Sequence, residues 1–212
     1  MKTVLVDYDS GNLHSAQKAF ERMAREVDGG EVIVSGLPEV IAAADRIVLP
    51  GDGAFPHCHG ELHGISGLAE AIVDAVENRA VPFFGICVGM QMLAEVGHEY
   101  QDTPGFGWIG GSIDKITPND PALPVPHMGW NDLVIDAPHP VLDGITSGDH
   151  AYFVHSYAMT VRDPAQRLAH CDYGGDVTAI VGRDNIIGAQ FHPEKSQSAG
   201  LRMIANFLRW RP

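Results

Sequence analysis

Between residues 3 and 94, short apolar runs alternate with stretches whose apolar residues recur at helical spacing. Thr3-Val-Leu-Val-Asp7, Glu31–Ser35, Arg46–Pro50 and Val81–Ile86 read as buried strands. Asn12–Glu26 reads as a helix with Leu13, Ala16, Ala19, Phe20 and Met23 on one face. Pro38–Ala44 reads as a short helix, Ile65–Asn78 as a longer one, and a further helix opens at Val88. Strands separated by helices pair through crossovers rather than hairpins, so this alternation predicts a mostly parallel sheet covered by helices, with right-handed connections. Beyond residue 105 Gly and Pro become frequent. Strand-like runs follow at Met128–Ile135, Ala151–Thr160, Arg167–Cys171, Thr178–Val181 and Ile186–Phe191, and a helix from Ser198 to Leu208 closes the chain. These runs are expected to extend the same sheet in antiparallel or mixed fashion. The expectation is a single α/β domain over residues 1–212, with a mixed, mostly parallel central sheet flanked by helices.

With 45% hydrophobic and 19% charged residues, the chain has a globular composition and enough length for a continuous core. Its net charge of −13 argues against nucleic acid and anionic membranes as partners, because like charges repel at the encounter. Cys58, Cys87 and Cys171 lack C-x-x-C spacing, which fits neither a disulfide framework nor a zinc ribbon and points to a reducing compartment. The longest uncharged stretch, Ala80–Ala94, is shorter than the roughly 20 residues a membrane span needs. Asp7 also breaks the first apolar run too early for a signal peptide. A soluble cytoplasmic protein is expected.

The sharpest local feature is Phe84-Gly-Ile-Cys-Val-Gly-Met-Gln91, where a buried strand runs straight into a helix. Gly85 and Gly89 sit two residues either side of Cys87. That is the spacing of a nucleophile elbow with Cys in place of Ser. On so tight a turn the flanking positions press against other backbone, and side chains there would clash. A helix N-terminus also favours the thiolate form of a cysteine.

A cysteine nucleophile needs a base, and Gln190-Phe-His-Pro-Glu-Lys195 offers one. In extended backbone, residues i and i+2 share a face, so Glu194 can orient the His192 imidazole while its other nitrogen reaches the thiol. Both segments fall at the C-terminal ends of predicted strands, where reactive groups of α/β sheets gather. For the oxyanion of an acyl transfer, the N–H of Val88 is one expected donor. The second is expected from Leu49-Pro-Gly-Asp-Gly-Ala54, through Gly51 and Asp52.

At these residues the chain resembles the class I (triad) glutamine amidotransferases, in the blocks Pro50-Gly-Asp-Gly53, Gly85-Ile-Cys-Val-Gly-Met-Gln91 and Phe191-His-Pro-Glu194. Within them it is most similar to the glutaminase subunits of imidazole glycerol phosphate synthase. Asp7-Tyr-Asp-Ser-Gly-Asn12, Pro126-His-Met-Gly-Trp-Asn131, Tyr152-Phe-Val-His-Ser-Tyr157 and Phe191-His-Pro-Glu-Lys-Ser196 carry that narrower likeness. The resemblance implies a flavodoxin-like fold, no cofactor, and hydrolysis of L-glutamine through a Cys87 thioester, with His192 as base and then acid. It also implies roles for Gln91, Ser156, Tyr157 and Glu99 in holding glutamine. Ammonia then passes to a separate cyclase subunit in a heterodimer, with Asn12, Met128, Trp130, Tyr152 and Lys195 at the partner contact.

Asp52 departs from the family, which places an apolar residue, most often Val, between the two glycines. A carboxylate aimed at a developing oxyanion would repel it, so the side chain is expected to point away, with docking of the partner selecting the productive orientation of the flanking peptide. Rival readings are weaker. Asp7-Tyr-Asp9 has the spacing of an aspartyl phosphatase, but the lysine and acidic pair such enzymes need do not stand out. His57, His59 and His63 form a metal-like cluster, with His59 and His63 at i, i+4 spacing, for which a solvated loop and helix start is the simpler assignment and no metal is expected. A glutaminase serving a different synthase, such as that for pyridoxal phosphate, is a further reading, as is a non-catalytic binding member of the fold. The intact Cys87, His192 and Glu194 argue against the last.

Overall fold

The computed structural model describes residues 1–212. Five strands run parallel: β1 (Lys2–Val6), β2 (Glu31–Ser35), β3 (Arg46–Gly51), β4 (Phe83–Cys87) and, much later in the chain, β14 (Ile186–Ala189). The helices that cross between them are α1 (Leu13–Val27), α2 (Pro38–Ala42), α3 (Phe55–Gly64) and α4 (Leu68–Val73). α5 (Val88–Gln91) follows β4 directly, and α6 (Gln197–Arg209) ends the chain. The remaining strands are β5 (Val96–Gly97), β6 (Thr103–Pro104), β7 (Gly111–Lys115), β8 (His127–Asp132), β9 (Val134–Ile135), β10 (His150–His155), β11 (Tyr157–Val161), β12 (Arg167–Asp172) and β13 (Asp176–Arg183).

The main sheet has the order β2-β1-β3-β4-β14-β13-β12-β9, with antiparallel pairing from β14 outward. Strands β3 and β4 are buried throughout, as continuous apolar runs between two helical layers must be. Phe83 and Phe84, being consecutive, face opposite layers. Phe84 meets Phe20 of α1 and Phe207 of α6 at 6.3 and 5.2 Å between ring centres, and Phe83 meets Trp108 at 5.2 Å.

Three expectations need correction. The runs beyond residue 105 do not all extend the main sheet. β8 pairs only with β10, and β11-β7-β5-β6 form a third small sheet. Ala151–Thr160 is not one strand, because the chain breaks at Ser156 between β10 and β11 and changes partner there. Ile65–Asn78 is also not one helix. Gly67, at φ 83°, starts α4, which widens into a π-turn over Asp74–Asn78, while Phe55–Gly64 forms the unforeseen α3.

The parallel strands direct five loops to one edge, those after Val6, Ser35, Gly51, Cys87 and Ala189. β1 and β3 are neighbours although β2 lies between them in sequence, so the crevice at that edge is the topological switch point where α/β sheets bind ligands.

Candidate active site

Cys87 ends β4 with φ 55° and ψ −112°, a conformation that a side chain rarely adopts. Such strain persists only where its surroundings enforce it. The enforcing contacts are those of the two glycines. A Cβ on Gly85 would lie 2.4 Å from the Gly89 carbonyl oxygen, and one on Gly89 would lie 1.8 Å from that of Leu49. The helix after Cys87 therefore presses directly on β3, and the thiol is held at the crevice although the residue is only 4% exposed. α5 lasts a single turn, shorter than the sequence suggests. Val88 is its first residue, so its N–H has no acceptor within the helix and is free for an oxyanion.

His192 follows β14, the neighbour of β4, and its Nδ1–H donates to Glu194 Oε1 at 3.0 Å. Both side chains are buried, and His192 Nε2 and Glu194 Oε2 have no hydrogen-bond partner in the protein. Burial disfavours the imidazolium, but the neighbouring Cys87 sulfur and the hydrogen bond and charge of Glu194 outweigh it and raise His192 to about 10. The segment is braced from behind. Its N–H donates to Tyr152 O at 3.1 Å, and its carbonyl accepts from Ser196 Oγ at 2.7 Å.

A cleft of about 210 Å³ opens beside Cys87, lined by Asp52, Gly53, Val88, Gln91, Glu99, Pro126, Val154, His155, Ser156 and Tyr157. Most residues expected around glutamine thus meet in one place. Gln91 is fixed by two bonds from Nε2, to Tyr157 O at 3.0 Å and to Gln190 Oε1 at 3.1 Å, leaving its own carbonyl oxygen free. Ser156, at the break between β10 and β11, presents an N–H that no group in the protein accepts. Glu99 accepts from the Phe55 N–H at 2.8 Å, which places one carboxylate oxygen on the N-terminus of α3 at the rim of the cleft.

The Gly51-Asp52 segment, expected to supply a second oxyanion donor, has the Asp52 N–H already bonded. Gly51 lies behind the cleft, where a Cβ would meet the Gly89 nitrogen at 2.8 Å and Val88 Cβ at 2.9 Å. The Asp52 N–H donates to Ser10 Oγ at 3.3 Å, and the Asp52 carbonyl accepts from that hydroxyl at 3.0 Å. Cys58, whose thiol burial pushes up, donates to the same carbonyl at 3.3 Å. Asp52 thus has both backbone groups tied to the far wall, and its side chain is exposed.

The five residues expected at a partner contact lie outside the cleft. Met128 and Trp130 are 63% and 47% exposed on β8, and Trp130 meets Tyr152 of β10 edge to face at 5.7 Å. Asn12 caps α1, accepting from the Ser15 N–H at 3.4 Å, and Lys195 is exposed beside the His192–Glu194 pair. His59 and His63 stack at 4.0 Å on α3, and His63 Nδ1–H donates to the His59 carbonyl rather than facing a shared ion. No three His, Cys, Asp or Glu side chains stand close enough to hold a metal. Gln190, fully buried with Nε2 3.8 Å from Cys87 Sγ, was not foreseen from the sequence, nor were Ser10 and Cys58. Their partners lie far away along the chain.

The sequence matches the family described as glutamine amidotransferase class-I over residues 4–210. The protein of Cereibacter sphaeroides named imidazole glycerol phosphate synthase subunit HisH is 66% identical over 212 residues, covering both chains completely. Its namesake in Ruegeria pomeroyi is 63% identical with the same coverage. Among solved structures, a glutamine amidotransferase superposes with a TM-score of 0.73 at 20% identity, covering 98% of this chain and 99% of that one. A glutamine amidotransferase from Thermotoga maritima gives 0.63 at 16%, covering 92% and 76%. The two structures speak to the fold alone.

Proposed function

From the premise that this chain belongs to the class I glutamine amidotransferases, among the HisH subunits of imidazole glycerol phosphate synthase, we propose that Cys87, His192 and Glu194 hydrolyse L-glutamine and that the ammonia feeds a cyclase subunit bound as a heterodimer. The enzyme is a glutaminase of histidine biosynthesis. The observation that carries the residue assignment is the buried His192–Glu194 pair, set on β14 beside the strained Cys87 of β4. No helix is long and apolar enough to cross a membrane, and the reading places the enzyme in the cytoplasm.

Chemically, with the proton held on His192 Nε2, the Cys87 sulfur adds to the side-chain amide carbon of glutamine. Charge builds on the amide oxygen, where the Val88 N–H stabilises it. As the tetrahedral species collapses, His192 gives a proton to the leaving nitrogen and ammonia departs. Water then attacks the thioester, His192 takes its proton, and glutamate leaves with the thiol restored. Glu194 holds the imidazole in the required tautomer throughout. Gln91 Oε1 and the Ser156 N–H hold the substrate ends, and Glu99 faces its ammonium.

In the resting arrangement one oxyanion donor is occupied, since the Asp52 N–H is bound to Ser10. Ser10 lies two residues from Asn12 on the loop after β1, so a partner seated on that loop can draw Ser10 away and release the Asp52 peptide toward Cys87. Glutamate release is measured with and without the cyclase and its ligand. A large increase on addition is expected, and equal rates remove the release step. Replacing Cys87 by Ala is expected to abolish hydrolysis while complex formation persists, and retained hydrolysis overturns the assignment.

A further inference from the structure

Between the glutamine cleft and the exposed side of β8 runs a row of side chains that the reaction above does not use. His155 ends β10 at the cleft, and His127 opens β8 beside it, 6% and 2% exposed. His155 Nδ1 lies 2.9 Å from the Tyr157 carbonyl. A carbonyl only accepts, so the proton sits on Nδ1, and in the neutral ring Nε2 carries the lone pair. That lone pair faces His127 Nδ1 at 3.1 Å, which must therefore hold a proton. His127 Nε2 is then left to accept from Asn131 Nδ2 at 3.3 Å. The Asn131 amide has its orientation set independently, because Nδ2 also donates to the Asp172 carbonyl at 2.9 Å and Oδ1 accepts from the Asp132 N–H at 2.8 Å.

Every donor and acceptor between Asp172 and Tyr157 is thus assigned by the carbonyls at the two ends. A proton added to either ring sets two donors against each other. Burial acts in the same direction and lowers both imidazoles to about 4. The far end is equally determined. The Tyr157 carbonyl also accepts from Gln91, whose other amide hydrogen goes to Gln190, the residue beside Cys87. One carbonyl therefore joins β8 to the helix of the nucleophile.

We propose that Asn131, His127 and His155 are positioning residues for glutamine: a one-directional hydrogen-bond chain that fixes the Tyr157 carbonyl, and with it the Ser156 N–H and the Gln91 amide, in register with β8. Alternation along β8 turns His127 and Asn131 inward and Met128 and Trp130 outward, so a displacement at the exposed pair is carried to the inward row by the same strand. The inference rests on the glutaminase reading of the cleft.

Two measurements test it. In glutaminase assays of the chain with its cyclase partner, His127→Phe keeps a ring between Phe153 and Tyr173, which stack on it at 4.8 and 4.0 Å, but removes both nitrogens. KM for glutamine is expected to rise about tenfold with kcat within about twofold, and His127→Asn, which retains the donor toward His155, is expected to restore most of the loss. An unchanged KM in an active His127→Phe enzyme overturns the proposal, whereas an inactive wild type points instead to failure of the glutaminase reading. Nitrogen-15 spectra of histidine-labelled, unmutated protein near neutral pH decide it even if the variant does not fold. Both rings are expected as neutral Nδ1–H tautomers, and an Nε2–H tautomer or an imidazolium at either position overturns the chain.

Discussion

The two edges of the parallel sheet treat their polar groups in opposite ways. At the edge where the strands begin, Arg46 is fully buried and its guanidinium closes the structure. It donates to Gly29 O at 3.0 Å and Thr3 Oγ1 at 3.3 Å, and to Leu208 O, tying the α1–β2 turn, β1 and the end of α6 together. Only Nε lacks a partner, and burial, aided by the nearby Arg211, lowers its pKa to about 10. At the opposite edge, roughly 16 Å away along β3, the reverse holds. Cys87 is strained, His192 Nε2 and Glu194 Oε2 are buried without partners, and Ser156, which lines the open cleft, has an N–H without an acceptor. One edge uses hydrogen bonds to hold elements together, and the other keeps them available for a substrate. Stability and chemistry are separated by the length of a strand.

That separation can be broken experimentally. The largest effect is expected from Cys87→Ala, with glutaminase activity reduced at least about 10³-fold and thermal stability scarcely changed. A melting temperature that fell with the activity would show the edges to be coupled. Glu194→Gln is expected next, with kcat about 10²–10⁴-fold lower because the imidazole loses its orienting charge. Arg46→Ala should do the converse, costing about 2–4 kcal/mol in chemical denaturation, while kcat per folded molecule stays at the wild-type value. Ser10→Ala should have the smallest effect, a several-fold higher rate without the cyclase, because the Asp52 N–H loses its resting acceptor.

Titration sharpens the same contrast within the edge that carries Cys87. His192, raised to about 10, contributes stability that is complete below its unfolded value near 6.5 and fades as pH climbs from there to 10. His127 and His155, lowered to about 4, contribute stability that is complete above 6.5 and fades as pH falls toward 4. Denaturation across pH should therefore show losses on both sides of neutrality. In His127→Phe the acid-side loss should shrink, and in Glu194→Gln the alkaline-side loss should shrink.

Much of this was legible in the sequence where the signal is local. The elbow is written within Gly85–Gly89, because the crowding that excludes side chains acts two residues either side of Cys87. His192 and Glu194 share a face through the period of extended backbone. The parallel strands were legible for a similar reason, since each apolar run announces itself in place, although the helices between β3 and β4 are divided differently. The small sheets were not. Ala151–Thr160 has the texture of one strand, and only the partners on either side, β8 and β7, divide it at Ser156.

The sequence by itself determined the elbow around Cys87, the facing of His192 and Glu194 and the strand ends that carry them, since each depends on neighbours within a few residues. Tertiary structure alone decided which hydrogen bonds those strand ends make. Asp52 meets Ser10 across 42 positions, Gln91 meets Gln190 across 99, and His127 meets His155 across 28. A polar group takes whichever partner the packing brings within about 3 Å, and side chains so distant along the chain are brought there only by the assembled fold.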